Sequence, residues 1–252
     1  MRLTLLGTGN AAGVPLYGCC CSFCQNVRNN PEKKRSPCSA LLEVGSQRFL
    51  LDAGQTNLAE VYPSGSLDGI FLTHFHPDHV QGLFHLRWGT GQNIHVYTPT
   101  DPEGCADLYG HSGILEFISL NVFEPVQFMN LSVIPMTLNH SKPTLGYLFE
   151  YRDSKVAYLT DTKGLPERSE KILRDANLEM MVIDCSYRPD CDLPGHNNLR
   201  DVLRIVRSVK PQQTILTHIG HDLDVWLKEH SDSLPTEIRV GYDGMLAYPI
   251  TL

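Results

Sequence analysis

The chain has 252 residues, 42% hydrophobic and 19% charged, enough apolar content for one large core and too much for a disordered polymer. Its 21 Lys and Arg against 28 Asp and Glu leave a formal charge of -7, which disfavours a general nucleic-acid or anionic-membrane surface and leaves room for a local basic pocket. No apolar run approaches the roughly 18 residues of a membrane span. The start offers only Arg2 and the short patch Leu3 to Leu6 before Gly7, so a cytoplasmic protein with no export signal and no membrane association is expected.

A first strand is expected over residues 2–6. The glycine-rich stretch Gly7-Thr8-Gly9-Asn10-Ala11-Ala12-Gly13-Val14-Pro15 follows as a tight loop; with Ala12 where a dinucleotide fingerprint needs glycine, it is not a nucleotide cradle. Four of the eight cysteines, Cys19, Cys20, Cys21 and Cys24, then fall within six residues, a density that suits thiolate metal binding in a reducing compartment better than a set of cross-links. The Cys-Xaa-Cys-Xaa-Xaa-Cys spacing supplies three soft ligands and wants a fourth. A structural zinc on Cys19, Cys21, Cys24 and His221 is expected, with Cys20 in place of Cys19, or reduced loop thiols, as the alternatives. Cys38, Cys105, Cys185 and Cys191 read as small core or loop residues.

Strands over 39–44 and 48–52 form a hairpin through Gly45-Ser46-Gln47, and more follow over 69–73 and 94–98. The second half continues with strands over 127–136, 146–151, 155–159, 180–184, 214–217 and 238–242, the last hairpinned to 245–249 through Asp243-Gly244. Amphipathic helices over 165–177 and 198–209 lie between strands, and Pro211 follows the second. With no repeat and no long linker, the pattern predicts a single domain over residues 1–252 in which two sheets are covered by helices.

The chemistry concentrates where an apolar strand stops: Ile70-Phe71-Leu72-Thr73-His74-Phe75-His76-Pro77-Asp78-His79. On an extended chain His74 and His76 point the same way, and Asp78 and His79 follow at the turn, so four ligands from six residues can surround a metal pair. His140, Asp161 and His218 each follow a strand of their own and complete a seven-ligand set. Imidazole and carboxylate suit Zn, Mn, Fe or Ni and keep the ions Lewis-acidic, which implies a hydrolytic site. A phosphodiester also needs a proton donor for its departing alkoxide, and His196 in Pro194-Gly195-His196-Asn197-Asn198-Leu199 is the candidate.

In the order of these residues the chain resembles the metallo-β-lactamase superfamily, whose members carry His-Xaa-His-Xaa-Asp-His, then a distant His, a bridging Asp and a final His. The resemblance implies an α/β fold, a four-layer αββα sandwich, with His74, His76 and His140 on one ion, Asp78, His79 and His218 on the other, and Asp161 between them. It also implies that Asp78 handles the nucleophile's proton and that Asp52 accepts an N–H from a ligand imidazole. The opening loop and the cysteines are similar to a group that holds the PhnP phosphodiesterases of the carbon–phosphorus lyase pathway and the PqqB-like proteins. The length, the His196 loop and the complete ligand set resemble PhnP more.

That resemblance implies hydrolysis of 5-phospho-α-D-ribosyl 1,2-cyclic phosphate to ribose 1,5-bisphosphate in phosphonate catabolism, with activity on 2′,3′-cyclic nucleotides. It implies two divalent ions, manganese foremost and zinc or nickel as alternatives, besides one structural zinc. Lys142 and Arg188 are candidates to meet a terminal phosphate. The expected partners are a small cyclic phosphodiester and, as for most soluble enzymes of this kind, a second copy of the chain in a homodimer, with no stable nucleic-acid complex. The competing readings are a tRNA 3′-processing endonuclease and a PqqB-like metal-binding protein without hydrolytic activity. The tRNA branch carries His-Glu-Ala-Thr where this chain has His-Asn-Asn-Leu, so its acid is missing here.

Overall fold

The computed structural model describes residues 1–230, 232 and 234–249; Ser231, Ser233 and the last three positions of the domain expected over 1–252 lie outside the described residues. The first half comprises β1 (Arg2–Gly7), α1 (Ser22–Asn29), β2 (Ser39–Val44), β3 (Gln47–Leu51), α2 (Leu58–Val61), β4 (Gly69–Phe71), α3 (Pro77–Val80), α4 (Leu83–Leu86), β5 (Ile94–Thr98), α5 (Ala106–Gly110) and β6 (Leu115–Ser119). The second comprises β7 (Val126–Phe128), β8 (Leu131–Thr137), β9 (Leu145–Tyr151), β10 (Ser154–Leu159), α6 (Glu167–Ala176), β11 (Met180–Asp184), α7 (Leu199–Val209), β12 (Gln213–Thr217), α8 (His221–His230), β13 (Ile238–Val240) and β14 (Leu246–Ala247). They form two seven-stranded sheets, in the orders β14-β1-β2-β3-β4-β5-β6 and β13-β12-β11-β10-β9-β8-β7.

Side-chain alternation places the layers. Along β10, Val156 and Tyr158 enter the core between the sheets, while Ala157 and Leu159 face the opposite way into a second core with Leu173 of α6 and Val202 and Ile205 of α7. Along β3, Phe49 and Leu51 face the inter-sheet core and Leu50 packs outward with Leu58, Val80 and Leu83 from the short helices. Because both faces of both sheets are covered, the result is the expected αββα sandwich. Its centre is aromatic: Phe71 lies 5.0–5.8 Å, ring centroid to centroid, from Tyr97, Tyr147, Phe49, Phe128 and Phe149.

Several sequence expectations shift. The strand expected over 127–136 is two, β7 and β8, paired antiparallel about a turn in which Met129 takes φ 52° and points to solvent. The hairpin expected between 238–242 and 245–249 does not form. β13 pairs with β12 and β14 with β1, so the Asp243-Gly244 turn carries the chain from one sheet to the other. Edge strand β6 and helices α1–α5 and α8 had no clear periodic signal; most are one turn long. Among the described residues no helix is long and apolar enough to cross a membrane.

Candidate active site

Strands deliver the polar residues at their carboxyl ends. Asp52 follows β3, His74 and His76 follow β4, His140 follows β8, Asp161 follows β10 and His218 follows β12, while Asp78 and His79 begin α3. Three of these turns are tight: Asp52, Asp161 and His218 take φ of 57°, 61° and 55°, a left-handed conformation that non-glycine residues seldom hold.

The seven expected ligands converge. His74 Nε2 and His140 Nε2 lie 2.8 and 3.1 Å from His76 Nδ1, so three ring nitrogens crowd one point. On the other side, His79 Nε2 is 3.3 Å from Asp78 Oδ2 and 3.2 Å from Asp161 Oδ2, and His218 Nε2 is 3.3 Å from Asp161 Oδ1. Asp161 Oδ1 also lies 3.7 and 3.9 Å from His140 and His74, so one carboxylate stands between the two groups.

The opposite ring nitrogens are tied down. His79 Nδ1 donates to Asp52 Oδ2 at 2.8 Å, and Asp52 also accepts from Thr73 N and from the Thr73 hydroxyl, which lies 3.0 Å from His74 Nδ1. His140 Nδ1 donates to the Gly195 carbonyl at 3.1 Å, and His218 Nδ1 lies 2.9 Å from Ser186 Oγ. The buried Nε2 atoms of His79 and His218 have no hydrogen-bond partner. A polar nitrogen buried without a partner is costly, and here both point at carboxylates. This donor set fits two divalent cations, with second partners orienting the imidazoles as metal ligands need.

Electrostatics follow the same map. Burial, reinforced by the neighbouring imidazoles, holds His74 well below the ordinary histidine value. Burial works the same way on His79, but Asp161 and Asp52 outweigh it and hold that ring well above. For Asp161, His218 and His79 overcome burial and keep the carboxyl well below the carboxylate range.

A cleft of about 880 Å³ opens over this cluster, lined by His76, Asp78, His140, Asp161 and His218 together with Ala11, Asn139, Ser141, Tyr187 and His196. His196 stacks on His218 at 4.7 Å and 16°, and its Nδ1 donates to Asp184 Oδ2 at 2.8 Å. The loop carrying it is fixed on both sides. Asn197 binds the Asp184 carbonyl and the Gly164 N–H, and Asn198 caps α7 in a reciprocal box with Asp201. Asn197 and Asn198 are therefore anchors of this loop.

The expected zinc ligands also meet. Cys19, Cys21, Cys24 and His221 offer donor atoms all within 4.8 Å of one another, while Cys20, the alternative, is exposed and outside the group. His221 Nε2 faces Cys21 Sγ at 3.5 Å and Cys19 Sγ at 3.7 Å, with Nδ1 held by Asp222. The Cys24 backbone N–H and then His221 bring the Cys21 thiol down to about 6.

The two expected phosphate cations sit apart from the cleft. Arg188 is turned to Asp190, with contacts of 2.7 and 3.1 Å, and is not among the lining residues. Lys142 lines an adjoining cleft that shares His140 and Ser141 with the first. Sequence reasoning passed over Asp184, Ser186 and Thr73. The available signal was a repeated one, an apolar strand ending in aspartate, present as Leu50-Leu51-Asp52 and again as Val182-Ile183-Asp184.

A family model described as Beta-lactamase superfamily domain matches residues 47–219. Among curated proteins, the chain is 28% identical over 267 aligned positions to an octanoyltransferase of Porphyromonas gingivalis, covering 98% of this chain and 51% of that protein. It is 26% identical over 148 positions to ribonuclease Z of Pyrococcus furiosus, covering 50% and 46%. The chain thus spans about half the length of these curated relatives. Among solved structures, one described as a new diphosphatase from the PhnP family superposes with a TM-score of 0.82 at 26% identity, covering 98% of this chain and 97% of that one.

Proposed function

Because the chain belongs to the β-lactamase superfamily, whose model spans residues 47–219, we propose that it opens small cyclic phosphodiesters, with 5-phospho-α-D-ribosyl 1,2-cyclic phosphate going to ribose 1,5-bisphosphate in phosphonate catabolism and 2′,3′-cyclic nucleotides as further substrates. It is a metal-dependent hydrolase. The observation that carries the phosphodiester reading is His196, an imidazole held by a buried carboxylate in the cleft that five of the seven expected metal donors line. The resemblance to a diphosphatase and to a ribonuclease supports phosphoryl chemistry.

His74, His76 and His140 would hold one ion, Asp78, His79 and His218 the other, with Asp161 shared; manganese is the first choice and zinc or nickel the alternatives. Such ions supply Lewis acidity toward a phosphoryl oxygen and make water acidic enough to ionise near neutral pH. Asp78, which also lines the cleft, takes the proton of the attacking water as its oxygen bonds to phosphorus. The bond from phosphorus to the departing oxygen breaks with its electron pair, and His196 returns a proton to that oxygen. Lys142, which lines the adjoining cleft 3.8 Å from Asp101 Oδ2, would have to turn from that carboxylate to meet a terminal phosphate. The cysteine cluster holds a structural zinc.

The test is steady-state turnover of the metal-loaded full chain on the ribosyl cyclic phosphate, a 2′,3′-cyclic nucleotide and a precursor tRNA. Turnover of the cyclic substrates, abolished by Asp78→Ala, supports the proposal. Cleavage of the tRNA alone moves the reading to the endonuclease, and a fully metal-loaded chain inert on all three overturns it.

A further inference from the structure

A second groove, of about 440 Å³, is walled by α1 and α8 and shares no lining residue with the cleft over the metal donors. α1 gives it Phe23, the single 3-10 turn Pro31–Lys33 and the residue after it give Lys33 and Lys34, α8 gives Lys228, and Tyr242, two residues past β13, completes it. Its floor is firmly bonded. Buried Arg35 donates from Nε and Nη2 to Asp224 of α8 at 2.7 and 2.8 Å, and from Nη1 to the Thr8 hydroxyl and the Gly241 carbonyl at 2.9 and 2.6 Å.

The charge in this groove is uncompensated. Arg35 and Asp224 satisfy each other, which leaves three lysines against Glu32 as the remaining charges of the lining. Among the described residues no carboxylate pairs with any of the three: the Lys33 amine donates to the neutral Asn26 Oδ1 at 3.2 Å, and those of Lys34 and Lys228 have no acceptor. Ammonium groups gathered round one concavity repel each other, and this excess stands in a chain whose formal charge is -7. An anion seated among them removes the repulsion and fills their free N–H donors. Two aromatic rings stand in the same lining. Phe23 is half-buried, edge-on to His221 at 6.3 Å, whereas Tyr242 is 54% exposed and free to stack on a planar ring. The volume falls within the range of small-ligand sites, about 300–1,000 Å³.

We propose that this groove binds a small ligand in which an aromatic ring carries a phosphate or diphosphate, the chemistry of a nucleotide, at a site separate from the cleft. The lysines meet the phosphoryl oxygens and Tyr242 meets the ring. Lysine suits the task as a compact charge on a flexible stem, drawn to phosphate without demanding one geometry. Lys33 and Lys34 follow α1, which carries Cys24, and Lys228 lies on α8, which opens with His221. One ligand held from both sides therefore ties together the two segments that supply the cysteine cluster, and it stabilises the folded chain by mass action. Nothing in this site depends on the reaction in the cleft.

The experiment is calorimetric titration of the metal-loaded full chain with ADP, inorganic pyrophosphate and adenosine. Lys34→Gln and Lys228→Gln each weaken ADP binding about tenfold, and the double variant weakens it about a hundredfold. Adenosine, which lacks the anion, binds about a hundredfold more weakly than ADP. Tyr242→Ala weakens ADP about fivefold and leaves pyrophosphate unchanged. These side chains are exposed, so the unliganded variants melt close to wild type, and ADP raises the melting temperature of wild type more than that of the double variant. ADP drawn into the cleft by its metals gives a second class of site that every variant keeps, which separates the two. ADP affinity unchanged in the double variant overturns the proposal. So does pyrophosphate or adenosine bound as tightly as ADP, which takes the ring or the anion out of the ligand class. A single-stranded oligonucleotide that binds through these lysines where ADP does not gives the groove to a nucleic-acid backbone and overturns it as well.

Discussion

Asp52, Asp161 and His218 each hold a left-handed backbone at a strand end that builds the site, a conformation that costs on the order of 1–3 kcal/mol per residue and persists only where the surroundings enforce it. The enforcement is visible for Asp161, whose oxygens face His79 and His218 at 3.2 and 3.3 Å. In metal-free protein this pairing contributes stability with a definite pH sense. The folded carboxyl titrates below its unfolded value of about 3.9, so the contribution is complete above that value and is lost as pH falls through the folded one. Metal-free Asp161→Asn should therefore unfold at lower temperature than wild type at about pH 6, and the two midpoints should approach each other below about pH 4. The same variant loses stoichiometric metal, measured by elemental analysis. The imidazoles and carboxylates that meet here were legible because their residue types have few other reasons to crowd at strand ends. Asp184 was not, because an aspartate after an apolar run reads as an ordinary turn until the fold sets His196 against it.

Among the elements, β4 carries the site and the core at once. Its last residue, Phe71, fills the centre of the inter-sheet aromatic cluster, and His74 follows three positions on. Phe71→Ala removes a wholly buried ring and should cost about 3–5 kcal/mol in urea unfolding, with the metal ligands displaced as the strand end settles. Helix α7 starts with the reciprocal cap of Asn198 and Asp201 two residues after His196. Asn198→Ala should cost about 1 kcal/mol of stability and lower kcat more than it raises KM, because the loop that places His196 loses an anchor. The helices expected over 165–177 and 198–209 form over Glu167–Ala176 and Leu199–Val209, since each repeats its apolar face over several turns. The turn at Met129 was hidden because methionine gives no signal for a positive φ. The partner of β14 was hidden for another reason: a two-residue turn looks the same whether it closes a hairpin or carries the chain from one sheet to the other.

For the whole molecule, the loop after β1 is stitched to the segment that carries His218. Ile219 N donates to the Thr8 carbonyl at 2.8 Å, Ala11 lines the cleft, and Arg35 forms a buried two-point ion pair with Asp224 of α8. The cysteine cluster closes the same stitch through His221. Cys24→Ser should cost one zinc per chain, lower the melting temperature by several degrees and raise KM, while turnover at saturating substrate stays within about tenfold of wild type, since no cleft residue is lost. By itself the sequence determined the layered α/β class, the family, and which imidazoles and carboxylates would converge at one place, because strand periodicity and side-chain chemistry are written locally. Only the tertiary structure decided that Asp184 lies against His196, that Lys142 rather than Arg188 borders the cleft's extension, and that the last strand joins the first. Those are contacts between residues distant along the chain, set by the packing of two sheets, and no local pattern encodes them.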